Sequence, residues 1–213
     1  MTGPDDNTRD RLLDQAEKLF SEKGFEAVSV REITNASGCN LAAVNYHFGS
    51  KKKLYLAVFQ ERWAKRAGKL QKSFADALAQ KPQPEIEDVI SAMARSFLEG
   101  PLTDSERRNH IQLMQRELSN PGQALGIIVE QVMEPYVINI ASLIRQCIKN
   151  KVDDERLRLF VFSMLGVILY FFLALPAVSG IVKRQYDQEF KSELVSHITA
   201  FCLEGIQALD QEP

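Results

Sequence analysis

The stretch Ser29-Val30-Arg31-Glu32-Ile33-Thr34-Asn35-Ala36-Ser37-Gly38-Cys39-Asn40-Leu41-Ala42-Ala43-Val44-Asn45-Tyr46-His47-Phe48-Gly49-Ser50-Lys51-Lys52-Lys53 contains three helix-start signals in close succession. Ser29 with Glu32 has the S-x-x-E spacing of a capping box and opens a short helix whose Val30, Ile33 and Ala36 point inward. That helix stops near Ser37-Gly38. Asn40 then caps a second short helix, closed by Gly49, and Ser50 caps a third. Lys51, Lys52 and Lys53 stand at the start of the last helix, where the positive end of the dipole favours acidic residues by about 0.3–1 kcal/mol each.

Outward from this stretch the pattern stays helical. A helix from about Asn7 or Thr8 carries an apolar stripe of Leu12, Leu13, Ala16, Leu19 and Phe20 and ends at Gly24, with Phe25 folding back on Phe20. After Ser50 the apolar residues Tyr55, Phe59, Trp63, Leu70, Phe74 and Leu78 recur at helical spacing, predicting one unbroken helix to about Gln80. Further helices are expected over about Glu85–Glu99, Asp104–Ser119, Gly122–Asn150, Asp154–Leu175 and Tyr186–Leu209. No alternating run suggests a strand, so the fold class is all-α. The residues before the first helix, 1–7, are expected to form a loose tail.

Two short helices joined by a Gly-containing turn, flanked by a helix on each side, make a helix-turn-helix over about residues 29–48. With Val44 and Phe48 facing inward, Ala42 and Tyr46 point outward and Ala43 and Asn45 flank them. Such a slim face can approach base edges in the major groove, where Asn45 can pair with adenine. Arg31 is placed to reach guanine or a phosphate. A DNA phosphate at the helix start after Ser50 would meet backbone N–H groups, the dipole and the Lys51 ammonium together, which gives the misplaced lysines a partner.

The segment EKGFEAVSVREITNASGCNLAAVNYHFGSKKKL within residues 8–66 resembles the DNA-binding domain of TetR/AcrR-type transcriptional regulators. By position, the resemblance implies DNA contacts from Arg31, Leu41, Ala42, Ala43, Asn45, His47 and Lys51. Many such regulators have tyrosine where Asn45 stands, and here the ring is at Tyr46. The resemblance further implies a homodimeric repressor released from a pseudo-palindromic operator by a small-molecule effector. Residues 67–213 would then form a helical effector-binding and dimerisation domain, dimerising through its last two long helices.

Composition agrees. Residues 1–72 carry 13 Lys/Arg against 9 Asp/Glu, and the remainder 13 against 19, so the basic surplus lies with the helix-turn-helix. Cys39, Cys147 and Cys202 show neither CxxC nor metal-ligand spacing, so a reducing cytoplasm and no metal or cofactor are expected. No nucleophile elbow, HExxH or phosphate-binding loop appears, so no enzymatic activity is expected. Leu159–Val182 carries no charge and is long enough for a membrane span. Pro176 and Ser179-Gly180 interrupt it, and an all-round apolar helix is equally a core element.

In the dimeric layout Ser163 and Gly166, with Tyr170 a turn later, let two such helices approach, and Leu194, Ile198 and Phe201 of the final helix complete the interface. Met93, Phe97, Met114, Met133 and Tyr136 lie on the central helices and could line an effector pocket, with Glu117 orienting a polar group.

Overall fold

Each cap signal in the 29–53 stretch starts a helix in the computed structural model, which describes residues 4–149 and 152–211, with side chains for 7–149 and 152–206. All regular structure among the described residues is helical. Helices α1 (Pro4–Lys23), α2 (Val30–Ser37), α3 (Leu41–Phe48) and α4 (Lys51–Val58) come first. A π-turn, Phe59–Trp63, joins α4 to α5 (Ala64–Leu78), so the long helix is regular on either side of a wider turn rather than unbroken. Then follow α6 (Ile86–Leu98), α7 (Asp104–Ser119), α8 (Leu125–Ile128), a second π-turn at Val129–Met133, α9 (Glu134–Cys147), α10 (Asp154–Leu173), α11 (Leu175–Val182) and α12 (Gln188–Gln211).

Two expectations at the ends and in the apolar run are corrected. The tail expected over residues 1–7 is helical from Pro4, a residue whose fixed φ suits a first helical turn; residues 1–3 lie outside the described residues. Pro176 does not leave a loop. It sits in the first turn of α11, where a missing N–H costs nothing, so the apolar run becomes two helices that break at Ala174. Asn150, where the helix before α10 was expected to end, lies outside the described residues.

The chain divides into two compact units: one holds the described residues up to Gly68 together with Leu102–Val132, the other Lys69–Pro101 together with the described residues from Met133 onward. The segment 102–132, which the family resemblance placed in the C-terminal domain of residues 67–213, instead falls in the same compact unit as the helix-turn-helix. In this first unit α1 packs on α2, α3, α4 and α7, burying Leu12, Leu13, Ala16 and Phe20 completely. Gly24 ends α1 at φ 83°, and its N–H donates to Phe20 O at 2.9 Å. Ion pairs add to this apolar contact: Arg9 with Glu61, Arg62 with Asp10 and Asp14 at 3.0 Å each, and Arg66 with Glu17. Trp63, in the π-turn, stacks on His110 of α7 at 4.7 Å and donates its indole N–H to the His110 carbonyl at 2.9 Å.

In the second unit α6 packs on α12, and α10 on α9 and α6, around Val89, Met93, Ile140, Ile144, Val161 and Met164. Helix α10 buries Leu157, Phe160, Val161, Met164, Leu165 and Ile168 and turns Leu159, Phe162, Ser163, Gly166, Tyr170 and Leu173 to the outside. Leu194 and Ile198, expected at an intersubunit contact, are instead sealed in this core, because that side of α12 faces α6. Phe201, a turn on, is 61% exposed.

Candidate nucleic-acid interface

The recognition element is built by its caps. Ser29 Oγ accepts the Glu32 N–H at 3.1 Å, while the reciprocal half of the expected capping box is absent because the Glu32 carboxylate pairs with Lys23. Gly38, in the left-handed conformation, closes α2, and Asn40 Oδ1 accepts the Ala43 N–H at 2.9 Å to start α3. Ala36, expected inside, is exposed; Thr34 and Ser37 are buried in its place, their hydroxyls donating to the Arg31 and Thr34 carbonyls. Such local side-chain-to-backbone bonds make buried hydroxyls tolerable, and a hydrophobicity pattern does not register them.

Within α3, Val44 and Phe48 anchor the helix, which turns the opposite face outward. Leu41 is 48% and Tyr46 75% exposed, Ala42 and Asn45 are exposed, and Ala43 and His47 are half-buried. The Tyr46 and His47 rings meet edge to face at 4.9 Å, so the two form one aromatic surface. Arg31 is exposed on α2. The eight residues expected at the DNA thus all lie in the helix-turn-helix unit, with Arg31, Leu41, Ala42, Asn45 and Tyr46 open to solvent.

Lys51 shows how the misplaced charge is held. Its ammonium lies 4.3 Å from the centre of the Phe25 ring, and Phe25 itself rests on Tyr55 at 4.9 Å and on Phe20 at 6.0 Å. A cation over an aromatic face is held by the ring's quadrupole, so the Lys51 ammonium has a defined position at the N-terminus of α4. Ser50 Oγ accepts the Lys53 N–H at 3.1 Å, and Lys52 and Lys53 are exposed. Only the pairing of Phe25 with Phe20 was legible from sequence spacing; the Lys51 contact joins residues too far apart in the chain to leave a local pattern.

The residues expected at an effector divide between the units. Met114 and Glu117 belong to the first, and Met93, Phe97, Met133 and Tyr136 to the second. Glu117 is already engaged: it accepts from Tyr55 Oη at 2.6 Å, Gly122 N at 3.0 Å and Ala124 N at 3.3 Å. A Cβ at position 122 would stand 2.9 Å from the carboxylate, which explains the glycine in the turn. Burial and the Glu117 bond together push the Tyr55 phenol well above its ordinary pKa, so it stays a donor.

Comparison with known proteins agrees with this geometry. Residues 12–58 match the family described as "Bacterial regulatory proteins, tetR family", and residues 86–206 match "HTH-type transcriptional dual regulator CecR, C-terminal domain". The dual regulator CecR of Shigella flexneri is 29% identical over 206 residues, covering 92% of this chain and 89% of that one. The repressor AcnR of Corynebacterium efficiens is 39% identical over 61 residues, 29% of this chain and 32% of its own length. The fatty acid degradation regulator FadR of Bacillus halodurans shares the fold, with a TM-score of 0.64 at 16% identity over 96% of this chain and 97% of that one. An all-α chain with a capped helix-turn-helix, matched over both of its regions, belongs to the TetR family of DNA-binding transcriptional regulators, with a C-terminal region of the CecR type.

Proposed function

We propose that this chain is a homodimeric, cytoplasmic repressor that binds a pseudo-palindromic operator and is released from it by a small-molecule effector. The observation that carries the reading is the α3 face, where small residues flank exposed Asn45 and Tyr46 and a fixed Lys51 ammonium follows at the start of α4. Asn45 reads a base edge, Tyr46 and His47 contact the backbone or a base, Leu41 and the alanines pack on the groove, Arg31 reaches guanine or a phosphate, and Lys51 holds a phosphate.

A pseudo-palindrome needs two such faces about one duplex turn apart. The exposed side of α10 supports a second copy: Leu159, Phe162 and Tyr170 are apolar, and a Cβ on Gly166 would meet nothing within 4 Å in its own chain. Helix Asp154–Leu173 is long and apolar enough to cross a membrane, as is Leu125–Cys147, yet each turns part of its surface into the second unit's core. A two-fold contact through Ser163, Gly166, Tyr170 and Phe201 would cover the remaining face of α10. Gly166→Trp is expected to convert the dimer to monomers or aggregates, read by sedimentation, because an indole cannot enter a close helix crossing. A wild-type protein recovered only in detergent would count against the dimer and in favour of a membrane anchor.

For the effector, Phe97 and Tyr136 border the second unit's core. The Tyr136 hydroxyl is buried with no partner in hydrogen-bonding geometry, and Ser96 gives its own proton to the Met93 carbonyl at 2.8 Å. Burial raises the Tyr136 pKa, so the hydroxyl would offer a bound molecule a donor in apolar surroundings. Met93 and Met133, of the same unit, add adaptable apolar surface. The description of CecR as a dual regulator favours a second reading, in which the chain also activates some promoters.

The deciding experiment selects fragments of the source genome on the purified protein and then screens small molecules for release. Lys51→Ala is expected to weaken binding to all sequences and to lower the salt slope by about one unit per half-site. Asn45→Ala should instead relax preference at one base pair, by about 1–3 kcal/mol. Equal losses on operator and random duplex for Asn45→Ala would remove its base-reading role.

A further inference from the structure

The first compact unit contains a cleft of about 740 Å³, none of whose lining residues belongs to the α3 face. Small-molecule sites commonly fall between about 300 and 1,000 Å³. Residues 23–27 at and after the end of α1, Tyr55 of α4, the last turns of α7 and residues 119–123 beyond them form its walls, all within that one unit. Internal bonds fix these walls. Arg116 donates Nε to the Ser21 carbonyl at 2.8 Å and Nη2 to the Glu22 carbonyl, tying α7 to the end of α1. Glu117 ties Tyr55 to the turn after α7 through the three bonds described above.

The lining offers a bound molecule an aromatic surface, a polar one and one cation. The Phe25 and Tyr55 rings, 4.9 Å apart, are the first, and four carboxamides, Gln115 among them, are the second. Of the charged side chains, Lys23 is paired with Glu32, Glu117 is engaged by its three donors, and Glu26 is exposed. Arg116 spends Nε and Nη2 on carbonyls and keeps Nη1, beside Gly24, where a Cβ would stand 3.2 Å from it. A guanidinium edge next to aromatic rings suits a flat molecule that ends in a carboxylate.

Phe25 links this cleft to the DNA-binding face. Its ring carries the Lys51 ammonium at 4.3 Å and rests on Phe20 and Tyr55, yet the residue is only half-buried, and it lines the cleft.

We propose that this cleft binds a small aromatic carboxylate, its ring against Phe25 and Tyr55 and its carboxylate on Arg116 Nη1. Such a molecule completes the packing of Phe25, holds the ring under Lys51 and tightens the grip of that ammonium on a DNA phosphate. It acts opposite in sign to the effector proposed for the second unit. The binding site stands without the operator reading; its coupling to DNA rests on the Lys51 phosphate contact proposed above.

The test titrates the full-length protein by calorimetry with 1-naphthoate, its neutral carboxamide and cyclohexanecarboxylate. Wild type is expected to bind 1-naphthoate, and the other two about tenfold more weakly, since one lacks the charge and the other the aromatic ring. Gln115→Trp, at an exposed cleft residue with no part in the Arg116 and Glu117 bonds, should fill the space and weaken 1-naphthoate binding by about tenfold or more. Arg116→Gln should bind the acid and the amide alike; if that variant unfolds, Gln115→Trp still decides the site. No binding of 1-naphthoate to wild type, or unchanged binding to Gln115→Trp, overturns the site. Equal binding of acid and amide to wild type overturns the Arg116 contact. For the coupling, a duplex of arbitrary sequence reports the phosphate contact: saturating 1-naphthoate should raise its affinity about fivefold for wild type and not for Lys51→Ala. Equal duplex affinity with and without 1-naphthoate overturns the coupling. Should wild type bind no duplex at all, the DNA reading fails and the titration alone decides the site.

Discussion

Replacing Arg66 by methionine is expected to destabilise the DNA-binding unit by about 3–5 kcal/mol, the usual scale for leaving one member of a buried ion pair unpaired. The Glu17 side chain is 4% exposed and that of Arg66 11%, and the two are joined by a double hydrogen bond whose second arm, Arg66 Nη2 to Glu17 Oε2, is 2.9 Å. Glu106 adds a second carboxylate 3.7 Å from Arg66 Nε. Without the guanidinium the Glu17 carboxylate keeps its burial and loses its counter-charge. Replacing both residues, Arg66→Met with Glu17→Leu, should recover most of the loss, because the charge that needed compensation is then absent. The measurement is chemical unfolding followed by the fluorescence of Trp63, the single tryptophan, which sits in the same unit. A loss below about 1 kcal/mol for Arg66→Met would place the pair with ordinary solvent-screened surface pairs.

This ion pair also marks what the sequence could and could not disclose. The caps at Ser29, Asn40 and Ser50 depend on neighbours three residues away, so they were legible, and with them α2, α3 and α4. The outward face of α3 followed from the inward positions of Val44 and Phe48 by helix geometry alone. Contacts between distant segments left no such trace. Nothing local tells Glu32 to prefer Lys23 over its own cap, Lys51 to rest on Phe25, or Glu117 to accept from Tyr55 rather than face a ligand. The α12 error has the same origin: its apolar stripe was recognised, but the stripe alone could not say that Leu194 and Ile198 meet α6 of their own chain while Phe201 stays outside. The π-turns were invisible because adding one residue to a turn leaves an apolar pattern almost intact, so Tyr55, Phe59 and Trp63 read as one regular stripe.

The residue stacked on Trp63 carries the last expected result: the DNA-binding unit should lose stability on mild acidification, and His110 should account for it. His110 is buried on α7, its Nδ1 has no hydrogen-bond partner, and Arg66 faces it with a positive charge. Burial first, and Arg66 second, depress its pKa from 6.5 to about 3. The folded state therefore refuses a proton that the unfolded chain accepts near pH 6.5. Its contribution is complete above that pH and falls by about 1.4 kcal/mol per pH unit below it, until the folded histidine itself titrates. Between pH 6.5 and 5 most carboxylates are still ionised, so this window isolates the imidazole. His110→Phe keeps an aromatic ring against Trp63 and leaves the His110 backbone carbonyl to the indole N–H, so its unfolding free energy should be nearly flat across the window where wild type declines. Parallel pH profiles for wild type and His110→Phe would mean that the imidazole titrates alike in the folded and unfolded chains, and that His110 is wetted or finds a partner for its Nδ1.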